Sequence, residues 1–242
     1  MGYRRARILR GIFLRLAVLL FVLSTAACLP APAPQLTARE IAQKSAERMT
    51  AISTFHFNIE VAGRRKAIDP LGTLILRRAE GDVARPDRAQ SKIRVALSGV
   101  IVEVEAVGIG NRQWLTNPLT RRWEEAPKGW GYNPAVLFDA QIGLASLLKR
   151  VEGLTRATDE SLDGKSHYRL TGRIAGNEIA PMTAYMVTGS DVSFTLWVGA
   201  DDFILRKVHI VEKDAGDSDA TEWDILLSQF DKPVRIEQPP LP

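Results

Sequence analysis

The chain of 242 residues has one cysteine, Cys28, and three histidines, His56, His167 and His209. A lone thiol cannot close an intramolecular disulfide or build a cysteine-based zinc cluster. Three scattered histidines make no multi-histidine metal site. The unbroken apolar run Leu16–Leu23 is well short of the roughly 20 residues that a spanning helix needs. An excess of one charge is also missing. There are 32 Lys and Arg against 28 Asp and Glu, but Arg4, Arg5, Arg7, Arg10 and Arg15 all precede Cys28 in a stretch without acids. Setting those five aside leaves 27 basic against 28 acidic residues, so the rest is near neutral and carries no electrostatic footprint for nucleic acid. Catalytic signatures are absent too. There is no Gly-x-Ser-x-Gly elbow, P-loop, His-Glu-x-x-His or EF-hand loop. Gly108-x-Gly110 has Gln113 where a dinucleotide loop has its third glycine. His56 and His167 read as solvated or edge residues. Glu103 and Glu105 share one strand face instead of facing each other across a substrate. The five tryptophans are widely spaced without interleaved basic residues, so they read as core or cavity lining, not base-stacking platforms.

What is present begins with an export signal. Met1–Arg10 is positive, Gly11–Leu23 is apolar except for Arg15, and the small residues Ser24-Thr25-Ala26-Ala27 lead to Cys28. Leu23–Cys28 resembles a bacterial lipobox, where diacylglycerol alkylates the thiol and the chain is cut before it. Thr25 stands where a bulky apolar residue is usual. The expected organisation is a signal peptide over residues 1–27, a lipidated Cys28 with a Pro-rich tether (LPAPAPQ) over 28–36, and a single domain over 37–242. Two acyl chains on Cys28 give stable membrane anchoring where one is marginal.

Thr37 and Glu40 form a capping box for an amphipathic helix over Ala38–Ala51. Strand-like alternation follows: Phe55, Phe57, Ile59 and Val61; Leu74 and Leu76 in the run Leu71–Leu76; Ile93, Val95 and Leu97; Val100, Val102 and Val104. Ser98-Gly99 and Gly108–Asn111 supply turns. A further hairpin is expected around Asn117-Pro118. Asn133-Pro134 caps a short turn over Ala135–Phe138. Asp139 is expected to cap a second helix over Ala140–Lys149, with Leu144, Leu147 and Leu148 on one face. Strands resume at Gly153–Thr158, Lys165–Arg173, Asp191–Gly199, Phe203–Glu212 and Ala220–Ser228, before an extended tail, Asp231–Pro242. Many consecutive strands with few helices predict an α+β fold, a curled antiparallel sheet or half-barrel packed on helices. Such a sheet has a concave face, and helices that lid it without filling it enclose an apolar cavity.

Several stretches together resemble the LppX/LprAFG family of envelope lipoproteins: Trp114–Trp123 (WLTNPLTRRW), Asn133–Asp139 (NPAVLFD), Gly143–Leu148 (GLASLL), Phe194–Asp202 with Leu205-Arg206-Lys207, and Ser228–Val234 with Ile236 and Pro239. The resemblance implies a LolA/LolB-like half-barrel that holds acylated lipid or glycolipid and carries it within the envelope. It implies no catalytic residue, no cofactor and no metal. The chain would sit on the extracytoplasmic face of the cell membrane, held through Cys28, with a membrane transporter as a candidate partner. The same fold also serves envelope sensors or assembly modules that act through a protein partner. The residues expected to line the cavity are Phe55, Phe57, Ile59, Leu74, Leu76, Val95, Leu97, Val100, Val102, Val104, Leu144, Leu147 and Leu148. The polar stretches Lys66–Asp69 and Ala79–Gln90 depart from the family pattern and are expected to alter the rim.

Overall fold

Thr37 starts the fold by closing the reciprocal cap read from the sequence. The Glu40 amide donates to Thr37 Oγ1 (3.2 Å) and the Thr37 amide donates to Glu40 Oε2 (2.7 Å). Helix α1, Ala38–Ala51, follows and buries Ile41, Ala42, Ser45, Ala46 and Met49. The computed structural model describes residues 35–241 apart from residue 70 and residues 127–132, 188–191 and 214–218. Residues 36–242 form one compact unit. The signal segment, Cys28 and Trp130 lie outside the described residues.

Among the described residues twelve strands make one antiparallel sheet: β1 Thr54–Gly63, β2 Leu74–Ala84, β3 Arg88–Leu97, β4 Val100–Ile109, β5 Arg112–Thr116, β6 Trp123–Glu125, β7 Glu152–Arg156, β8 Glu160–Leu162, β9 Lys165–Ile174, β10 Val192–Gly199, β11 Leu205–Glu212 and β12 Thr221–Ser228. Their order is β6-β5-β4-β3-β2-β1-β12-β11-β10-β9-β7, with β8 also on β9. The end strands β6 and β7 do not pair, so the sheet curls but stays open. Helix α2, Leu144–Arg150, and a 3-10 turn at Pro134–Phe138 stand between β6 and β7. The short α3, Gly176–Ile179, runs into a second 3-10 turn at Ala180–Thr183.

Register sets the two faces. Phe55, Phe57 and Ile59 stand opposite Val83, Gly81 and Ala79 on β2. Phe57 and Ile59 stand opposite Leu227 and Ile225 on β12. Val208 and Ile210 continue the row to Leu196 and Phe194. This concave face packs on α1 and α2 in the main core. Arg39 ties the helices together by donating to the carbonyls of Lys149 (2.8 Å) and Val151 (3.0 Å), groups that a helix end otherwise leaves unpaired. A second, smaller core lies on the opposite face, where Trp114 and Val107 pack with Ile236 of the C-terminal tail. The tail is fastened there by Arg88 Nη1, which donates to the Ile236 carbonyl at 2.7 Å.

Three expectations need correction. The strand expected within Leu71–Leu76 begins at Leu74 and continues to Ala84. Ala79–Gln90 is therefore mostly sheet, not a rim loop. A bulge between Leu76 and Arg78 breaks the period, and Ala79, Gly81 and Ala89 keep the inward row small. A Cβ on Gly81 would sit 1.9 Å from the Gln90 carbonyl oxygen, so only glycine admits that approach. The helix expected from Ala140 starts at Leu144 with Gly143 as its N-cap. Asp139 instead folds a turn, accepting the amides of Gln141 (2.7 Å) and Ile142 (2.9 Å). His167 is buried, not solvated, on an interior strand flanked by β8 at Glu160 and β10 at Gly199.

Candidate functional site

The concave face meets the helical layer in a cleft of about 260 Å³. Met49 and Thr50 of α1 form one wall. Leu137, Phe138, Asp139 and Ala140 form another, and α2 adds Leu144, Ala145, Ser146 and Lys149. Phe55 and Arg85 close it from the sheet side. Phe138 packs edge-on against Phe55 with ring centroids 6.2 Å apart, and the Arg85 guanidinium lies 4.2 Å from the Phe138 ring. Arg85 also donates to the carbonyls of Ile52 (2.8 Å) and Thr50 (3.0 Å), which fixes its place at the C-terminal end of α1. Burial pulls the Arg85 guanidinium below its ordinary pKa. The amides of Ile142 and Gln141 hold the Asp139 carboxyl below the usual aspartate value. The cleft thus has apolar walls from Phe55, Leu137, Phe138, Leu144 and Ala145, beside polar Thr50, Ser146 and Lys149, with Arg85 and Asp139 held in place by their hydrogen bonds.

The ten strand residues expected to line a cavity lie on the concave side by register, and Leu144, Leu147 and Leu148 lie on α2. Leu74, Leu97 and Val100 form one row, and Leu76, Val95 and Val102 the next. Of the full set, Phe55 and Leu144 line the cleft itself. Phe57 and Ile59 are half-buried against the main core, and Leu76, Leu147 and Leu148 are buried in it. Val95 and Val104 are buried, while Leu74, Leu97 and Val102 are half-buried. Val100 is 64% exposed because it follows the β3–β4 turn, beyond the reach of the helices.

Sequence reasoning missed an ion pair at one end of the concave face. Lys66 Nζ lies 2.7 Å from Glu212 Oε2, with the glutamate side chain fully buried and the lysine 12% exposed. Glu212 stands opposite Thr221 on β12, in line with apolar Ile210. Alternation along β11 could have shown that Glu212 falls on the inward parity. Nothing in the sequence marks Lys66 as its partner across the β1–β2 loop. A larger depression, about 330 Å³, lies on the convex face. It is more open than the cleft and is lined by Gly153, Thr171, Gly172, Arg173, Ser193, Phe194, Thr195, His209 and Val211. Among the described residues no helix is long and apolar enough to cross a membrane, and no group of His, Cys, Asp and Glu could hold a metal ion.

A curled, open antiparallel sheet with a thin helical cover defines a half-barrel α+β domain with a small cleft between its two layers. The chain belongs to the LppX_LprAFG lipoprotein family, whose model matches residues 37–236. It is similar to the lipoprotein LprA of Mycobacterium tuberculosis, 27% identical over 111 residues, or 45% of this chain. That match spans 44% of the length of LprA. It is also similar to the lipoarabinomannan carrier protein LprG of Mycobacterium tuberculosis, 20% identical over 214 residues, 88% of this chain and 86% of LprG. The crystal structure of LprF from Mycobacterium bovis shares the fold, with a TM-score of 0.66 and 21% identity over 84% of this chain and 96% of that one.

Proposed function

We propose that the protein is a membrane-anchored lipoprotein that binds acylated lipid or glycolipid between its sheet and helices and carries it within the cell envelope, and that it is not an enzyme. The observation that carries this reading is the cleft with apolar walls between α1, α2, the Pro134–Phe138 turn and the concave face, in a chain of this family. The carrier name of LprG supports it by kinship. The anchor is an acylated Cys28 on the extracytoplasmic face. The thirteen residues expected to line the cavity line the path of the acyl chain, with Phe55 and Leu144 in the cleft and exposed Val100 at the outer end.

Moving hydrocarbon out of water gains about 0.8 kcal/mol per methylene, so an eight-carbon segment gains about 6 kcal/mol without any chemistry. The cleft is below the usual ligand-pocket range of about 300–1,000 Å³. It therefore accepts part of one chain as it stands, and a whole lipid enters as the helical cover lifts from the sheet. That cover is built from short pieces, Pro134–Phe138 and Leu144–Arg150, which open more readily than long elements. Native mass spectrometry of the protein extracted from its own membrane is expected to show bound acylated lipid. Lipid-free protein in every such preparation would reject the carrier reading.

A further inference from the structure

The turns of this sheet differ sharply between its two ends. One end carries Arg85–Asp87, Gly110-Asn111, Asp163-Gly164 and Ala200–Ile204, polar or small apart from Pro86, half-buried Phe203 and buried Ile204. The other carries the β1–β2, β3–β4, β5–β6, β9–β10 and β11–β12 connections. The five most exposed large apolar side chains among the described residues are all there: Leu71 and Leu119 (82% each), Tyr185 (71%), Val100 (64%) and Ile101 (58%). Strands β1 to β6 are consecutive neighbours, so the first three of these turns stand in a row along one edge, about 10 Å apart.

The tips are held firmly. The sequence repeats Asx-Pro-Leu at two of them, Asp69-Pro70-Leu71 and Asn117-Pro118-Leu119. Asp69 accepts the Leu74 amide (2.6 Å) and the Thr73 hydroxyl (2.8 Å), and Asn117 Oδ1 accepts the amides of Leu119 (3.0 Å) and Thr120 (3.1 Å). At the third, Ser98 (φ 50°) and Gly99 (φ 85°) make the tight hairpin turn that lifts Val100 and Ile101. Exposed Arg65 lies on the first connection, and exposed Arg121 and Arg122 follow Leu119. Glu103, the nearest acid on β4, is tied to Arg94 at 3.5 Å.

We propose that this row of tips is a bilayer-docking edge: Leu71, Val100, Ile101 and Leu119 enter the membrane interface, and Arg65, Arg121 and Arg122 meet anionic headgroups. Rigid apolar tips with basic neighbours suit a lipid surface, where leucine enters the acyl boundary and cations stay at headgroup level. The contact is separate from any acyl anchor on Cys28. It does not depend on the cargo, so either reading can fail without the other.

The test uses the full chain in vesicles, with Leu71→Cys, Leu119→Cys or, at the polar end, Asp201→Cys labelled with an environment-sensitive nitrobenzoxadiazole dye. The unsubstituted chain reports any signal from Cys28. On vesicles of phosphatidylcholine with phosphatidylglycerol, emission at positions 71 and 119 shifts to the blue and brightens, more than on phosphatidylcholine alone, while position 201 keeps its aqueous spectrum. Adding Leu71→Glu and Leu119→Glu to a chain labelled through Val100→Cys lowers the inserted fraction by about tenfold for each leucine lost, with an unchanged circular dichroism spectrum. Aqueous spectra at positions 71 and 119, or equal shifts at all three sites, overturn the proposal. So does a photo-crosslinker at position 71 that, in native membranes, captures a protein and no lipid.

Discussion

Asp69 shows how a single side chain sets a local structure and a pH response. It is 8% exposed. Burial pushes its carboxyl up, but donation from the Leu74 amide and from the Thr73 hydroxyl and amide outweighs that and leaves it below the ordinary aspartate value of 3.8. A depressed pKa means that the ionised form stabilises the fold. The contribution is complete above about pH 5 and fades as pH falls through the depressed value. Asp69→Asn is therefore expected to cost about 1–2 kcal/mol at pH 7, with a smaller gap from the unsubstituted chain below pH 3.8. Urea titrations at the two pH values measure both, and a gap that stays constant would exclude the titrating role. Lys66 and Glu212 set a different balance. A buried pair gains little over apolar residues, but removing one partner strands the other charge. Lys66→Met is expected to lose about 3 kcal/mol, and Lys66→Met with Glu212→Leu to regain most of it. A denaturant double-mutant cycle completed with Glu212→Leu alone reads the coupling, and a double variant whose loss equals the sum of the two single losses would mean the pair is not coupled. Periodicity places Glu212 inward but cannot supply its partner. A loop lysine reaching across a sheet is a tertiary contact with no local signature.

At the scale of elements, legibility follows the strength of local chemistry. Helix α1 was readable to the residue because Thr37 and Glu40 are a self-contained cap. Strands β3, β4 and β9 to β12 were readable because bulky residues alternate along them. The latter half of β2 was hidden because its inward residues are small and its bulge shifts the phase. The start of α2 was displaced because Asp139 is a good cap for either a helix or a turn, and the Gly143 backbone, close to the Asp139 carbonyl, decides for the turn. The tail was readable only as extended. Its role is to lay Ile236, 3% exposed, against Trp114 and Val107 on the convex face. Lys232 adds a fastening through its carbonyl, which accepts the Thr54 hydroxyl at 2.7 Å. Ile236→Ala is expected to destabilise by about 2–4 kcal/mol, since the small cluster has few other side chains to collapse into the space. Chemical denaturation checks this, and a loss below about 1 kcal/mol would mean the tail lies on the sheet without bracing it.

At the scale of the whole molecule, the sheet presents two faces with different fates. The concave side is apolar, covered by short helices, and left with a cleft. The convex side carries ion pairs, Arg78 with Glu80 and Lys207 with Asp224, beside the small Trp114–Ile236 cluster, and its depression is the more open of the two. Alternation in the sequence foretold the two faces and the curl. It could not separate cleft from filled core, because a wall residue and a packed residue have the same period and differ only in what stands opposite. That distinction gives a direct comparison. Ala145 of α2 lines the cleft, and Ser193 of β10 lines the convex depression. Ala145→Trp puts an indole where an acyl chain would lie, and Ser193→Trp fills the outer hollow with a group of the same size. If cargo occupies the cleft, Ala145→Trp lowers the lipid retained through purification several-fold, while Ser193→Trp leaves it unchanged. Neither change should alter stability by more than about 1–3 kcal/mol, the usual cost of overpacking. Native mass spectrometry of the two variants, beside their melting curves, measures the contrast. Lipid lost from Ser193→Trp and kept by Ala145→Trp would move the binding site to the opposite face of the sheet.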